Sequence, residues 1–274
     1  MQYFLGIDIG TYESKGVLAD KDGNVLASAS HPHKMLVPEP GWAEHRPEED
    51  WWNDFVTITK KILKSSKINP SDIACIATSA IGPCMLPVSH DGKPLMNAVL
   101  YGVDTRAEKE IKELNAVIGE KNILQNCGNA LTSQSVGPKI LWLKKNYPEI
   151  YKEADKILSS TSYIVQKLTN EAVIDHYTAA NFTPLYDIKN LKWTDSLTNN
   201  IIELEKLPKL MWTTEIAGYV SKAAAEETGL ASGIPVTVGT IDAASEAISV
   251  GVCNAGDMMI CLLYTSPSPR DTRS

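Results

Sequence analysis

Phe4-Leu5-Gly6-Ile7-Asp8-Ile9-Gly10-Thr11-Tyr12-Glu13-Ser14-Lys15 is the stretch from which the fold is read. The run from Tyr3 to Ile9 is apolar apart from Gly6 and Asp8, which predicts a buried strand. An aspartate inside such a strand is costly unless it is paired or holds a metal. Gly10 is free to adopt φ > 0 and bring backbone amides close to a ligand, and Thr11 adds a hydroxyl. The chain then enters a second apolar run, Gly16 to Ala19. An acid, bare amides, a hydroxyl and Lys15 at one strand-to-strand turn can hold a metal-bound polyphosphate. A tight hairpin whose glycines serve only the backbone fits the same residues, because short glycine-containing motifs discriminate weakly.

Working outward, residues 3–9, 14–20 and 24–30 read as three successive strands, the last two joined at the hairpin signal Lys21-Asp22-Gly23-Asn24. A proline-rich loop, His31 to Arg46, leads to a helix with Pro47 in its first turn and Glu48, Glu49 and Asp50 suited to its positive end. Trp51, Phe55, Ile58 and Ile62 fall on one apolar face of that helix. A buried strand returns at Ile73 to Ala80, then Ile81-Gly82-Pro83-Cys84 and a hairpin signal at Asp91-Gly92. Helices are expected over 107–118 and 137–147, a helix with a glycine stop over Glu215 to Gly229, and a strand at Pro235 to Gly239. Gly239-Thr240-Ile241-Asp242 then turns into a helix, Ala243 to Val250. Three antiparallel strands followed by alternating helix and strand is a mixed α/β fold, unlike the β-α-β opening of a doubly wound one. No G-x-G-x-x-G or G-x-x-x-x-G-K-[ST] occurs.

At 274 residues the chain is long enough for a large core, and 43% hydrophobic with 22% charged residues suits a soluble globular protein. A net charge of -7, without a Lys/Arg cluster, argues against nucleic acid or an anionic membrane surface as the partner. Any anion site must then be built from local amides, a metal and a few placed cations. No apolar stretch reaches membrane-spanning length, and the chain opens without a basic-then-apolar leader. Its five cysteines are odd in number, scattered and without C-x-x-C, so reduced thiols in the cytoplasm are expected. The histidines at 31, 33, 45, 90 and 176 show no metal spacing and receive no role.

The order of motifs resembles the N-terminal domain of the FGGY family of carbohydrate kinases, with xylulokinase-like members nearest. Four stretches carry the resemblance: Gly6-Ile7-Asp8-Ile9-Gly10-Thr11 through Lys15; Gly41-Trp42-Ala43-Glu44 with Pro47 to Trp52; Tyr101-Gly102-Val103-Asp104-Thr105-Arg106-Ala107; and Gly239 to Ala244. The first is common to a superfamily, while the second and third are specific to FGGY kinases. The resemblance implies the ribonuclease H-like (actin/Hsp70/hexokinase-like) fold and ATP-dependent phosphorylation of a sugar hydroxyl, with a ketopentose or related polyol as acceptor. It places Asp8, Gly10, Thr11 and Lys15 at the ATP phosphates, with Asp8 near Mg²⁺. It makes Asp242 the general base, and puts Gly82, Pro83, Cys84, Asp104, Arg106 and Asp242 beside the substrate. The loop at Gly82 lacks the Gly-Gln-Met-His-Gly type of segment usual in xylulokinases, which leaves the sugar open.

Plainer roles fit some of the same residues. Asp242 and Asp104 could each be an acid at a helix start, and Arg106 a surface side chain. Trp42, Trp51 and Trp52 suit packing better than sugar stacking. Residues 1–250 are expected to form the sugar-binding domain and 251–260 to begin an ATP-binding domain, with a strand at Gly256 to Ile260. Ser-Pro-Ser-Pro within 261–274 cannot continue a central strand and reads as non-native or disordered. The expectation is therefore of a truncated chain with little kinase activity and a tendency to self-associate as a homodimer. A non-catalytic sugar-binding or regulatory protein is the alternative.

Overall fold

The structure is a computed structural model that describes residues 2–197, 201–252, 254 and 256–259. The chain divides into two compact units, Met1–Asp242 and Ala243–Ser274. The first unit carries nearly all the regular structure. Its main sheet has seven strands. β1 (Tyr3–Ile9) pairs antiparallel with β2 (Glu13–Asp20), and β2 with β3 (Val25–Pro32) at one edge. On its other side β1 pairs parallel with the Ile73–Ala80 strand, which in turn takes Pro235–Thr237 and Thr240–Ile241, both parallel. Ile216–Tyr219 closes that edge antiparallel to Pro235–Thr237.

Alternation along β1 decides which face is covered. Tyr3, Leu5, Ile7 and Ile9 are buried, while Phe4 is exposed and Asp8 half-buried. Across the ladder Ile7 lies opposite Gly16, so both face the same side. A Cβ on Gly16 would stand 2.5 Å from Ile58 and 3.1 Å from Ile62. This is where α1 (Asn53–Ser66) lies against the sheet. The expected stripe Trp51, Phe55, Ile58 and Ile62 is wholly buried. Each such side chain removed from water stabilises the fold by roughly 1.5–3 kcal/mol. The helix is entered through a π-helical turn, Pro47–Trp52, and ends at Lys67, whose left-handed backbone bonds to Leu63. A second core lies under helices Glu108–Ile118 and Val136–Asn146, gathering Leu114, Ile140, Leu143, Phe182 and Tyr186.

Two expectations for secondary structure are corrected. The segment Glu215 to Gly229 is not one helix: Ile216–Tyr219 pairs as a strand, and only Lys222–Thr228 is helical. The Ser221 hydroxyl caps that helix by accepting from the Ala224 amide, and Gly229 ends it in the left-handed region. Helix propensity upstream yields to the vacant edge offered by Pro235–Thr237. After the helix Asp242–Ser249, residues 256–259 are turn and coil where a strand was expected. The expected tail, residues 261–274, lies outside the described residues. Among these, no helix is long and apolar enough to cross a membrane.

Candidate active site

Three parallel strands end side by side, and their next-to-last residues form a row. Asp8 of β1 is level with Ser79, and Ser79 with Thr240. On the other flank Lys15 of β2 stands opposite Asp8. At a spacing of about 4.8 Å between strands, Thr240 and Asp8 are about 10 Å apart. Ligands of open α/β sheets bind just beyond such carboxyl ends.

Asp8 meets the condition set for an acid inside a strand. The Ser79 hydroxyl donates to its Oδ1 at 2.6 Å, and the carboxyl is half-buried on the open face of the sheet. Lys15 is exposed and reaches Glu13 at 3.6 Å. Gly10 is glycine for a different reason from the one expected. Its φ is not positive; a Cβ there would sit 2.4 Å from the Glu13 carbonyl oxygen, so the turn closes too tightly for any other residue. The Thr11 hydroxyl shares a hydrogen bond of 3.0 Å with the hydroxyl of Tyr101, tying the first motif to the third.

Asp242 opens the helix at the end of the row and is half-buried. Its approach is held from two sides: the Thr161 hydroxyl donates to the Thr240 carbonyl at 2.9 Å, and the Thr240 hydroxyl donates to Asp175 at 2.8 Å. Asp175 is itself buried, which raises its pKa. Gly82 packs directly under Ile241, where a Cβ would stand 2.3 Å from the Ile241 side chain. The charge of Asp242 is felt at Cys84 and Tyr101: burial chiefly raises both of their pKa values, and Asp242 adds to it. Gly82, Tyr101 and Asp242 therefore share one region.

The other residues expected beside the substrate are buried. Cys84 is fully buried, its thiol donating to the Ile81 carbonyl at 3.6 Å and pushed up to about 12, and Pro83 is buried beside it. Asp104 and Arg106 are side chains of 0% exposure joined at 2.8 Å, with Glu44 at 2.9 Å from the same guanidinium. That guanidinium also lies 3.9 Å over the Trp42 ring and 5.0 Å from Trp142. Asp104 further accepts from the Ala43 amide at 2.7 Å. These charges fasten the Gly41–Glu44 loop to the loop at 101–107 and turn no face outward. Arg106 is not a surface residue, and its Nη1 is buried without a hydrogen-bond partner among the described residues.

Sequence reasoning passed over three groups. His45 accepts from the Trp51 indole at Nδ1 (2.9 Å) and donates from Nε2 to the Thr11 carbonyl (3.0 Å). Burial pulls it down to about 4, so it is neutral at pH 7. His33 spans Asp54 and the Gly10 carbonyl. Lys139 is buried, lowered to about 8 by burial, and donates to the carbonyls of Leu100 and Tyr101. Only the nearness of His45 to Gly41-Trp42-Ala43-Glu44 pointed toward any of these in the sequence.

For a divalent cation, Asp8 is a single available carboxylate at the strand end. Among the described residues no group of three or more His, Cys, Asp or Glu could hold a metal. Mg²⁺ commonly takes one or two carboxylates and completes its shell with substrate phosphates and water, so Asp8 fits that ion.

The chain is similar to known sugar kinases. The chain is 30% identical over 259 residues to a xylulose kinase of Lactococcus lactis, covering 93% of this chain and 50% of that protein. It is 31% identical over 226 residues to a glycerol kinase of Thermococcus gammatolerans, covering 81% and 45%. The crystal structure of xylulose kinase from Rhodospirillum rubrum superposes with a TM-score of 0.87 at 27% identity, over 93% of this chain and 52% of that one. Plasmodium falciparum glycerol kinase with ADP gives 0.81 at 26% identity, over 90% and 50%. The chain thus spans about half the length of the curated relatives it matches. Residues 3–249 match the FGGY N-terminal domain, and the chain belongs to the FGGY family of carbohydrate kinases.

Proposed function

We propose that this chain is the sugar-binding half of an ATP-dependent carbohydrate kinase acting on a ketopentose or related polyol. Residues 1–250 form that half, and 251–260 begin the ATP-binding half. The observation that carries the reading is the row Lys15, Asp8, Ser79 and Thr240 at the strand ends, with Asp242 two residues beyond Thr240. Phosphoryl transfer to an alcohol requires an in-line hydroxyl, neutralised phosphate charge and a base for the departing proton. Asp242 stands at the mouth of a helix behind a fixed strand, where it can accept the proton of a sugar hydroxyl. Thr11 and Lys15 face the phosphates, and Asp8 would hold Mg²⁺, which neutralises their charge when bound. The adenine side falls to the part of the relatives that this chain does not span.

The test is a thermal-shift panel of ketopentoses and polyols on the 274-residue chain. A ligand at about 100 times its Kd adds about 2.7 kcal/mol of stability if it binds only the folded state. We expect at least one sugar to raise the melting temperature of wild type, and Asp242→Ala to reduce that shift. A panel with no shift at saturating sugar would refute the sugar-binding reading.

A further inference from the structure

Three successive carbonyls of the turn after β1 are held from behind. The Gly10 carbonyl faces His33 Nε2 at 3.1 Å, the Thr11 carbonyl faces His45 Nε2 at 3.0 Å, and the Tyr12 carbonyl accepts from the His33 amide at 2.9 Å. The two imidazoles meet edge to face, 4.8 Å between ring centres.

Each imidazole is braced in turn. The Trp51 indole can only donate, so His45 must accept at Nδ1, and its Nε2 is left to donate to Thr11. His33 faces acceptors with both ring nitrogens, since its Nδ1 lies 2.7 Å from Asp54. The Asp54 side chain is 0% exposed, and its second oxygen takes His31 Nδ1 at 2.8 Å. Trp51 and Asp54 stand where the π-helical turn runs into α1, so the brace is a rigid element.

A trans peptide points its N–H opposite to the preceding C=O. Holding the Gly10 and Thr11 carbonyls on the histidine side therefore aims the amides of Thr11 and Tyr12 to the other side. Successive amides aimed together form an anion-binding concavity. We propose that His33 and His45 are positioning residues that set the Thr11 and Tyr12 amides as a nest for a polyphosphate, with Trp51 and Asp54 as their supports. This rests on the phosphate-loop reading above and adds the device that shapes the loop.

The experiment is a ¹H–¹⁵N titration of the 274-residue chain with Mg·ATP, following the Thr11 and Tyr12 amides, alongside melting curves. The variants are His45→Leu, His45→Gln, which keeps a donor at the Nε2 place, and His33→Asn. The last keeps a donor for Asp54 but cannot reach Gly10. We expect His45→Leu and His33→Asn each to weaken binding about fivefold, the worth of one hydrogen bond. His45→Gln should stay within about twofold of wild type by the same reasoning. If His45→Leu does not fold, His33→Asn, with its bond to Asp54 intact, decides. Folded variants that bind like wild type would overturn the clamp and leave the phosphate loop standing. A wild type whose Thr11 and Tyr12 amides do not respond to saturating Mg·ATP would overturn both.

Discussion

Asp8 and Asp104 are both acids of the motifs that mark this family, and they have opposite fates. Asp104 is sealed at 0% exposure against Arg106 and the Ala43 amide, in a buried cluster where Arg106 also takes Glu44. Asp8 is half-buried, takes one bond from Ser79, and looks out along the open face beside Lys15. The difference separates two jobs that a motif does not distinguish. Charges that have been desolvated and paired hold loops in place, and charges at a strand end with solvent before them can meet a ligand. On the proposed reading a metal-bound phosphate would meet Asp8 and Lys15 at an open strand end, whereas the Nε and Nη2 donors of Arg106 are already taken by Asp104 and Glu44.

The largest effect should come from opening the sealed pair. Arg106→Met strands the carboxylates of Asp104 and Glu44 without their cation, and such losses destabilise by about 3–5 kcal/mol. Urea denaturation should show it; a change below about 1 kcal/mol would mean that the cluster is not the structural tie described here.

Next in size is the pH response of His45. Its folded value is about 4 against an ordinary 6.5, so the unfolded chain takes up the proton first as pH falls. Stability is complete above 6.5 and is lost from there down through about 4. The slope for one proton is at most about 1.4 kcal/mol per pH unit. Urea midpoints of wild type and His45→Gln should converge toward the acid end of that window, because the variant lacks the titrating group. Parallel curves would remove His45 from the account.

Gly82→Ala comes third. Its new Cβ would press within 2.3 Å of Ile241, directly before Asp242, and overpacking of this kind costs about 1–3 kcal/mol. Relief by a second substitution, Ile241→Ala, would locate the strain, and a melting temperature equal to wild type would deny it. The smallest effect belongs to the open end itself. Lys15→Ala removes a surface pair and should change stability by under about 0.5 kcal/mol, while weakening Mg·ATP in the titration. Loss of several kcal/mol would place Lys15 with the sealed group instead.

Much of this was legible in the sequence. β1 to β3 and the Ile73–Ala80 strand announce themselves because apolar runs are bounded by Asp-Gly and Asn-Pro turns. The stripe from Trp51 to Ile62 follows from helical spacing alone. The end of the row was readable as well, since Asp8 and Asp242 sit in short motifs with their glycines. What escaped were the pairings made across long separations. His33 finds Asp54, and Arg106 finds Glu44, through folded proximity that no local spacing encodes. The same holds for Ile216–Tyr219, which is a strand because Pro235–Thr237 offers it an edge. Burial was the missing quantity at Cys84, Asp104 and Arg106, since no local spacing in the sequence shows that they are enclosed.

The most direct test of the contrast is a ¹H–¹⁵N shift map of the chain with Mg·ATP and the sugar that gives the largest thermal shift. The account expects the strongest perturbations at residues 8–13, at Ser79 and Gly82, and at Asp242, with the amides of 104–107 little changed. Perturbations centred on 104–107, with the strand ends silent, would contradict it.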